Sequence, residues 1–278
     1  MSGLLVSAAG LPAPASRSPA AHIAAGLRWL APPAAGLAGL LGLWWLGGWI
    51  IASSPRLAAF TGFAPAPTLT AFAGLIVSGG AWHAAGPSLS RVMEGLAVAF
   101  LAGVPAGIAV GLLPILARAV QLPFQILRMI SPLSWMPIAI LAFPTWDGAI
   151  VFLIAAAAVW PILFATVAGV KRIDPAWIAV GRTLGGRGFA MVRVIVVRAV
   201  APDILTGLRL ALGIAWVVLV PSEFLGVTSG LGYAINDARD TLEYDRLSAL
   251  VLLIGLIGFA LDAVVATALR RAQWTPTA

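Results

Sequence analysis

Four ionisable residues fall within or at the margins of long apolar runs: Glu94, Arg209, Glu223 and Asp262. A charge near the bilayer centre costs roughly 2.5–3.5 kcal/mol even on the gentler insertion scale, so such residues are retained for pairing or for handling a polar solute. Arg209, in "TGLRLALG", has the planar donor fork that holds a sulfonate, nitrate or carboxylate through paired hydrogen bonds. The simpler reading is that Glu94, Arg209 and Glu223, each within a turn or two of a run's end, snorkel or pair with one another. Other chemistry finds no footing. The one lysine, Lys171, sits in "VAGVKRI", which lacks the GxxxxGK[ST] spacing that cradles nucleotide phosphates, so the chain has no ATPase site of that kind. His22 and His83 are far apart, cysteine is absent, and neither HExxH, GxSxG nor a metal-ligand spacing of carboxylates occurs. The sequence therefore predicts no catalytic residue, cofactor or metal, and any driving energy has to come from elsewhere.

A second motif carries recognition rather than catalysis. In "DPAWIAVGRTLGGRGFAMVRV", residues 174–194, Asp174 is a good N-cap and Pro175 stands at the first helical position, where its missing N–H costs nothing. Gly185 and Gly186 supply the left-handed geometry of a helix stop, which predicts a ten-residue helix over 175–184. Trp177, Val180, Gly181 and Leu184 follow an i, i+3, i+4, i+7 spacing and form one apolar stripe. Ten residues cannot cross a bilayer, and Arg172, Arg182 and Arg187 hold the segment at its surface. Two readings fit: a helix laid in a groove of a partner protein, or one resting on lipid headgroups.

The elements that must position these residues are membrane helices. The chain is 61% hydrophobic and 10% charged, against roughly 25% charged residues in soluble domains. Spans are expected at about 33–52, 91–113, 131–145, 149–169, 203–224 and 248–268. The net charge of +7 is a record of topology rather than a nucleic-acid footprint, because the basic residues gather in alternate loops: Arg17 and Arg28, Arg118 and Arg128, Lys171 to Arg198, and Arg270 with Arg271. The positive-inside rule places these loops and both termini in the cytoplasm. The loop 225–246, with Asp237, Asp240, Glu243 and Asp245 against Arg239 and Arg246, is expected outside.

Residues 1–32 read as a flexible cytoplasmic tail ahead of an uncleaved first span, 33–268 as the transmembrane domain with a cytoplasmic loop at 171–202, and 269–278 as a C-terminal tail. Residues 53–90, rich in Pro, Gly and Ser, read as an external loop with a short interfacial helix, with Trp82 and His83 near the surface. The third span is short and bracketed by Pro132, Pro137 and Pro144; a broken segment is tolerated only against protein or a water-filled cavity, which makes it, with Trp135, a candidate pathway wall. Gly103, Gly107 and Gly111 share one face of the second span and invite close helix packing, within the chain or between subunits.

The stretch from "AGVKRIDPAW" through "VPSEFLGVTSGLGY" resembles the cytoplasmic EAA loop and following span of bacterial ABC importer permeases of the nitrate/sulfonate/taurine class. "LRMISPLSWMPIAILAF", "WPILFATVAGVKRIDP", "APAPTL" and "LLIGLIGFALDAV" are similar to the same class, so the likeness covers roughly residues 60–268. The resemblance implies an all-α type I importer permease fold of about six transmembrane helices in the bacterial inner membrane. It further implies a cytoplasmic ATP-binding subunit, an extracytoplasmic substrate-binding protein and a second permease copy, expected as a homodimer. Under it, Asp174, Trp177, Ala179, Val180, Gly181, Leu184 and Gly185 form the ATPase-coupling element, while Trp135, Arg209 and Glu223 are candidates for the translocation path. The family's E-A-A positions fall on Ala179, Val180 and Gly181, its glycine on Gly185, its isoleucine on Ile195 and its L-P pair on Val197 and Arg198. The family's glutamate and proline are thus missing, and an unkinked helix running toward Pro202 is expected. The implied cargo is a small anion such as nitrate, a sulfonate or taurine. An ion- or proton-coupled carrier using Glu94, Arg209 and Asp262 is the alternative, and a non-transporting membrane scaffold a third reading.

Overall fold

The computed structural model of the chain describes residues 19–272 apart from Leu225. The expected tail residues 1–18 and 273–278 lie outside the described residues. Two compact units emerge, residues 1–58 and 59–278. The first holds α1 (Pro19–Ser53), whose stretch Ala31–Ser53 is long and apolar enough to cross a membrane and which reaches back into the segment read as a tail.

The second unit carries α2 (Pro65–Val77), α3 (Gly80–Leu112), α4 (Pro114–Leu127), α5 (Met136–Ala142), α6 (Trp146–Lys171), α7 (Pro175–Thr183), α8 (Gly188–Met191), α9 (Val197–Glu223), α10 (Leu231–Asp240) and α11 (Tyr244–Ala272). No strand occurs among the described residues. Six stretches have the length and hydropathy of membrane spans, in agreement with the expected number, yet they are not the expected six. Residues 55–77 are helical rather than loop, and α3 begins at Gly80 instead of near 91. The prolines of "APAPTL" misled because Pro65 and Pro67 stand in the first turn of α2, where no intrahelical acceptor awaits their missing N–H groups.

The expected third span is broken. A 3₁₀ turn, Pro132–Trp135, leads into α5, and together they meet α4 at a bend of 87°. Phe143, driven to extended geometry ahead of Pro144, ends α5. The basic stretch 114–130, read as a loop, is mostly α4.

Glycines set the packing of the central helices. Gly95, Gly103, Gly107 and Gly111 of α3 face Ile154, Ile162, Thr166 and Val170 of α6, a constant offset that makes the two helices parallel and in register. A Cβ at Gly107 would stand 2.7 Å from the Thr166 Cβ, so only glycine permits this approach. The small-residue face is therefore consumed inside the chain. Helix α9 runs antiparallel to α6, with Gly169 against Val200 and Asp203, and Gly207 against Ile162 and Ala165. Helix α11 runs antiparallel to α9, with Gly258 against Trp216. The resulting core centres on Ile150, Leu153, Ile154, Ile162, Ala211, Ala215 and Leu219. This arrangement gathers the ends bearing Lys171, Arg193 and Arg270 on one side of the bundle and those bearing Asp147, Glu223 and Tyr244 on the other.

Candidate functional site

Between α6 and α9 the chain leaves the bundle to form the short helix that the sequence marks out. Asp174 caps it, its Oδ1 accepting from the Ala176 N–H at 2.8 Å, and Pro175 opens its first turn. The helix ends at Thr183, one residue short of the expected limit, because Leu184 takes the C-cap and Gly185 adopts φ +82°. The Gly186 N–H then donates to the Gly181 carbonyl at 2.9 Å, closing the helix end with a 6→1 bond.

The stripe divides by function. Gly181 is buried, and a side chain there would collide with Ile195 and Met191; this glycine seats α7 against the following helix rather than presenting a surface. Trp177, Val180 and Leu184 are exposed by 58%, 59% and 82%, and Ala179 is exposed beside them. With Met191, Val194, Ile195 and Pro202, the residues Trp177, Val180 and Leu184 border an apolar cleft of about 750 Å³. The helix after the loop does not run regularly toward Pro202 as expected: Val192–Val196 forms a π-helical turn. Arg172 pairs with Asp203, tying the base of the loop to α9.

The membrane charges separate into unrelated settings. Arg209 and Asp262 form a bidentate pair, with Nε to Oδ1 at 2.7 Å and Nη2 to Oδ2 at 2.6 Å, on an exposed face of α9 and α11. Glu94 is exposed on α3 and makes no hydrogen bond or ion pair among the described residues. Glu223 is fully buried and lies 14 residues from Arg209, about 21 Å along α9. Trp135 is half-buried against the central core. Of the three residues suggested for a pathway, Trp135, Arg209 and Glu223, the last two thus stand at opposite ends of about 21 Å of α9.

Glu223 belongs to a network that the sequence reading missed. Its carboxylate accepts from Ser88 Oγ at 2.8 and 2.9 Å, from Arg91 Nη1 at 2.5 Å and from the Gly232 N–H at 2.8 Å. Arg91, 4% exposed, also donates to Asp147 Oδ1 at 2.7 Å and to Ser229, through its carbonyl at 2.9 Å and its hydroxyl at 3.0 Å. Ser88 Oγ accepts in turn from the Leu231 N–H at 2.8 Å. One buried ion pair therefore joins α3, α6, α9 and the start of α10, leaving no buried side-chain polar atom unsatisfied among the described residues. A signal for Arg91 did exist: it is an arginine at the acid-rich end of the bundle, against the charge bias, and such an exception calls for a partner.

Known proteins with similar sequences give these features a setting. Over 181 residues the chain is 37% identical to the bicarbonate transport system permease protein CmpB of Synechocystis sp., covering 64% of each chain. It is 34% identical over 178 residues to the nitrate import permease protein NrtB of Leptolyngbya laminosa, again 64% of each. With the taurine transport system permease protein TauC of Escherichia coli it shares 32% identity over 181 residues, 65% of this chain and 66% of that one. The chain thus spans a little under two thirds of the length of these relatives. Its apolar helices and its likeness to them mark a multi-pass inner membrane protein. Residues 100–273 match the model of the binding-protein-dependent transport system inner membrane component, and the chain belongs to that family.

Proposed function

We propose that this chain is the permease subunit of an ATP-driven importer for a small oxyanion, coupled through α7 to a separate cytoplasmic ATPase. The observation that carries this reading is the exposed edge Trp177, Val180 and Leu184 on a capped helix held outside the bundle, an apolar surface with no covering element among the described residues. Short amphipathic helices dock by seating such anchors in a partner's groove. Asp174 and Gly185 fix the two ends of α7, Gly181 fixes its seat, and Ala179 replaces the family's acidic residue with a small apolar one, so docking rests on shape and burial rather than on charge.

Relatives named for bicarbonate, nitrate and taurine favour an oxygen-bearing anionic group as the shared element of the cargo. A substrate-binding protein delivers the solute from the acidic end of the bundle, and a second copy of the permease completes the path as a homodimer. Both termini lie in the cytoplasm. The test is co-expression with candidate ATPase and binding proteins sought in the neighbouring reading frames. The ATPase co-purifies with the wild-type chain and is lost when Leu184 becomes Asp, while membrane insertion is unchanged. Equal recovery with Leu184→Asp would refute docking through this edge. The unpaired Glu94 favours a second reading, a proton-coupled carrier, in which uptake collapses with an uncoupler and needs no other protein.

A further inference from the structure

Helix α4 is amphipathic, with an outward apolar face and a polar row along a cleft. Its apolar residues Ile115, Leu122 and Ile126 are exposed by 83%, 65% and 57%. Its polar residues Arg118, Gln121, Gln125 and Arg128 recur at i, i+3, i+7 and i+10 and line a cleft of about 640 Å³ shared with the cytoplasmic half of α6. Lys171, the last residue of α6, stands at the same cleft. Arg128 lies deeper, its guanidinium 5.3 Å from the ring centre of Phe164, which is seven residues or about 10 Å up α6 from Lys171. Phe124 packs on Trp160 at 5.5 Å and fixes α4 along this wall.

No aspartate or glutamate lines the cleft, and Arg118, Arg128 and Lys171 form no ion pair among the described residues. Three cations lining one cleft without a counter-charge repel one another, and an anion bound in the cleft relieves that repulsion. Topological signalling alone does not account for the arrangement. It requires basic residues on one side of the membrane, not their alignment with two carboxamides on the face of α4 turned toward α6. We propose that this cleft is an oxyanion-binding site, in which guanidinium, ammonium and carboxamide N–H groups supply the donors and Phe124 and Phe164 form part of the wall. The oxyanion is either the phosphate of an inner-leaflet lipid or a free small oxyanion; the latter arm alone rests on the importer reading. A lipid phosphate engages Lys171 and Arg118 at the mouth, whereas a free anion also reaches Arg128.

The test uses the purified full chain without ATPase or binding protein, so its outcome is independent of whether the chain imports anything. Phosphatidylglycerol adducts are counted by native mass spectrometry, and sodium sulfate and sodium nitrate are titrated against sodium chloride at constant ionic strength, read by tryptophan fluorescence. Saturable binding of at least one probe is expected, weakened at least about tenfold in Arg118→Gln/Arg128→Gln, as the loss of charge-assisted contacts requires. The equal-charge control Arg193→Gln/Arg270→Gln, whose residues stand outside the cleft, keeps wild-type binding. If the lipid is the ligand, Lys171→Gln weakens phosphatidylglycerol retention and Arg128→Gln does not; if a free anion is the ligand, both weaken sulfate or nitrate binding. Absence of saturable binding for every probe overturns the proposal. So does an equal loss in the Arg193/Arg270 control, which would make the effect one of net charge.

Discussion

Replacing Glu223 with Gln changes two atoms' chemistry and almost no volume, yet the buried network gives the amide no acceptable orientation. If the new NH2 takes the Oε1 position it faces the Arg91 guanidinium, which now stands 2.5 Å from the carboxylate. If it takes the Oε2 position it faces the Gly232 N–H, now donating across 2.8 Å. Ser88 Oγ, which accepts from the Leu231 N–H, has a second lone pair for the new NH2, but that contact leaves the mismatch at Arg91 or Gly232 in place. Either way a buried donor meets a donor, and the one carboxylate left to Arg91 among the described residues is Asp147, whose side chain is 65% exposed and well screened. Breaking one partner of a buried pair costs about 3–5 kcal/mol, a sizeable part of the roughly 5–15 kcal/mol that holds a domain together. The assay is unfolding in mixed micelles titrated with SDS, followed by circular dichroism, for Glu223→Gln, Arg91→Gln and the double variant. Each single change should cost about 3 kcal/mol or more, and the double variant clearly less than their sum, since each removes what the other needs. Asp240→Asn breaks the exposed Arg239–Asp240 pair, 58% and 60% accessible, and should cost less than about 1 kcal/mol. A loss of about 0.5 kcal/mol for Glu223→Gln, or strict additivity, would refute the network as described.

Other outcomes follow from the packing and the loop. Gly107→Ala forces α3 and α6 apart and should destabilise the chain by about 1–3 kcal/mol, whereas Gly255→Ala on α11, where a Cβ meets open space, should be neutral or slightly stabilising in the same unfolding assay. Gly185→Pro cannot hold φ +82° and loses the N–H that donates to the Arg182 carbonyl, so solute uptake by the reconstituted system should disappear while the chain still inserts; normal uptake would contradict a coupling role for this turn. The absence of cysteine makes labelling clean: Ser2→Cys and Thr275→Cys should both react with a membrane-impermeant maleimide only after the inner membrane is opened. Reaction of Ser2→Cys in intact spheroplasts would show instead that residues 55–77 cross the membrane and turn the N-terminus outward.

The parts legible in sequence were those governed by local rules. The cap at Asp174, the stop at Gly185 and the small-residue face of α3 each follow from a residue type in a fixed place, and each stands where it was expected. The misreadings came where the same residues have two meanings. Pro65 and Pro67 start a helix as readily as they interrupt one, and the apolar content of residues 131–142 does not disclose that α4 and α5 meet at 87°. Arg91 and Glu223 are 132 residues apart in sequence, and their union depends on α3 and α9 both packing on α6, which no local pattern encodes. Gly181 shows a further limit: periodicity places it on the stripe, but only the neighbouring Met191 and Ile195 reveal that it is the seat.

The π-helical turn at Val192–Val196 bears on how the chain can tolerate changes of length. Such a turn houses one residue more than a regular helix of the same rise. Deleting a single residue within it would restore ordinary winding without a gap and leave the segments on either side close to their present register, whereas the same deletion in a regular helix swings one side by about 100°. The same deletion in α6 would rotate half of a fully packed face out of register with α3 and α9. A one-residue deletion is therefore absorbed at residues 192–196 with the bearing of α7 kept, and the slack in chain length between α7 and the bundle lies at this joint.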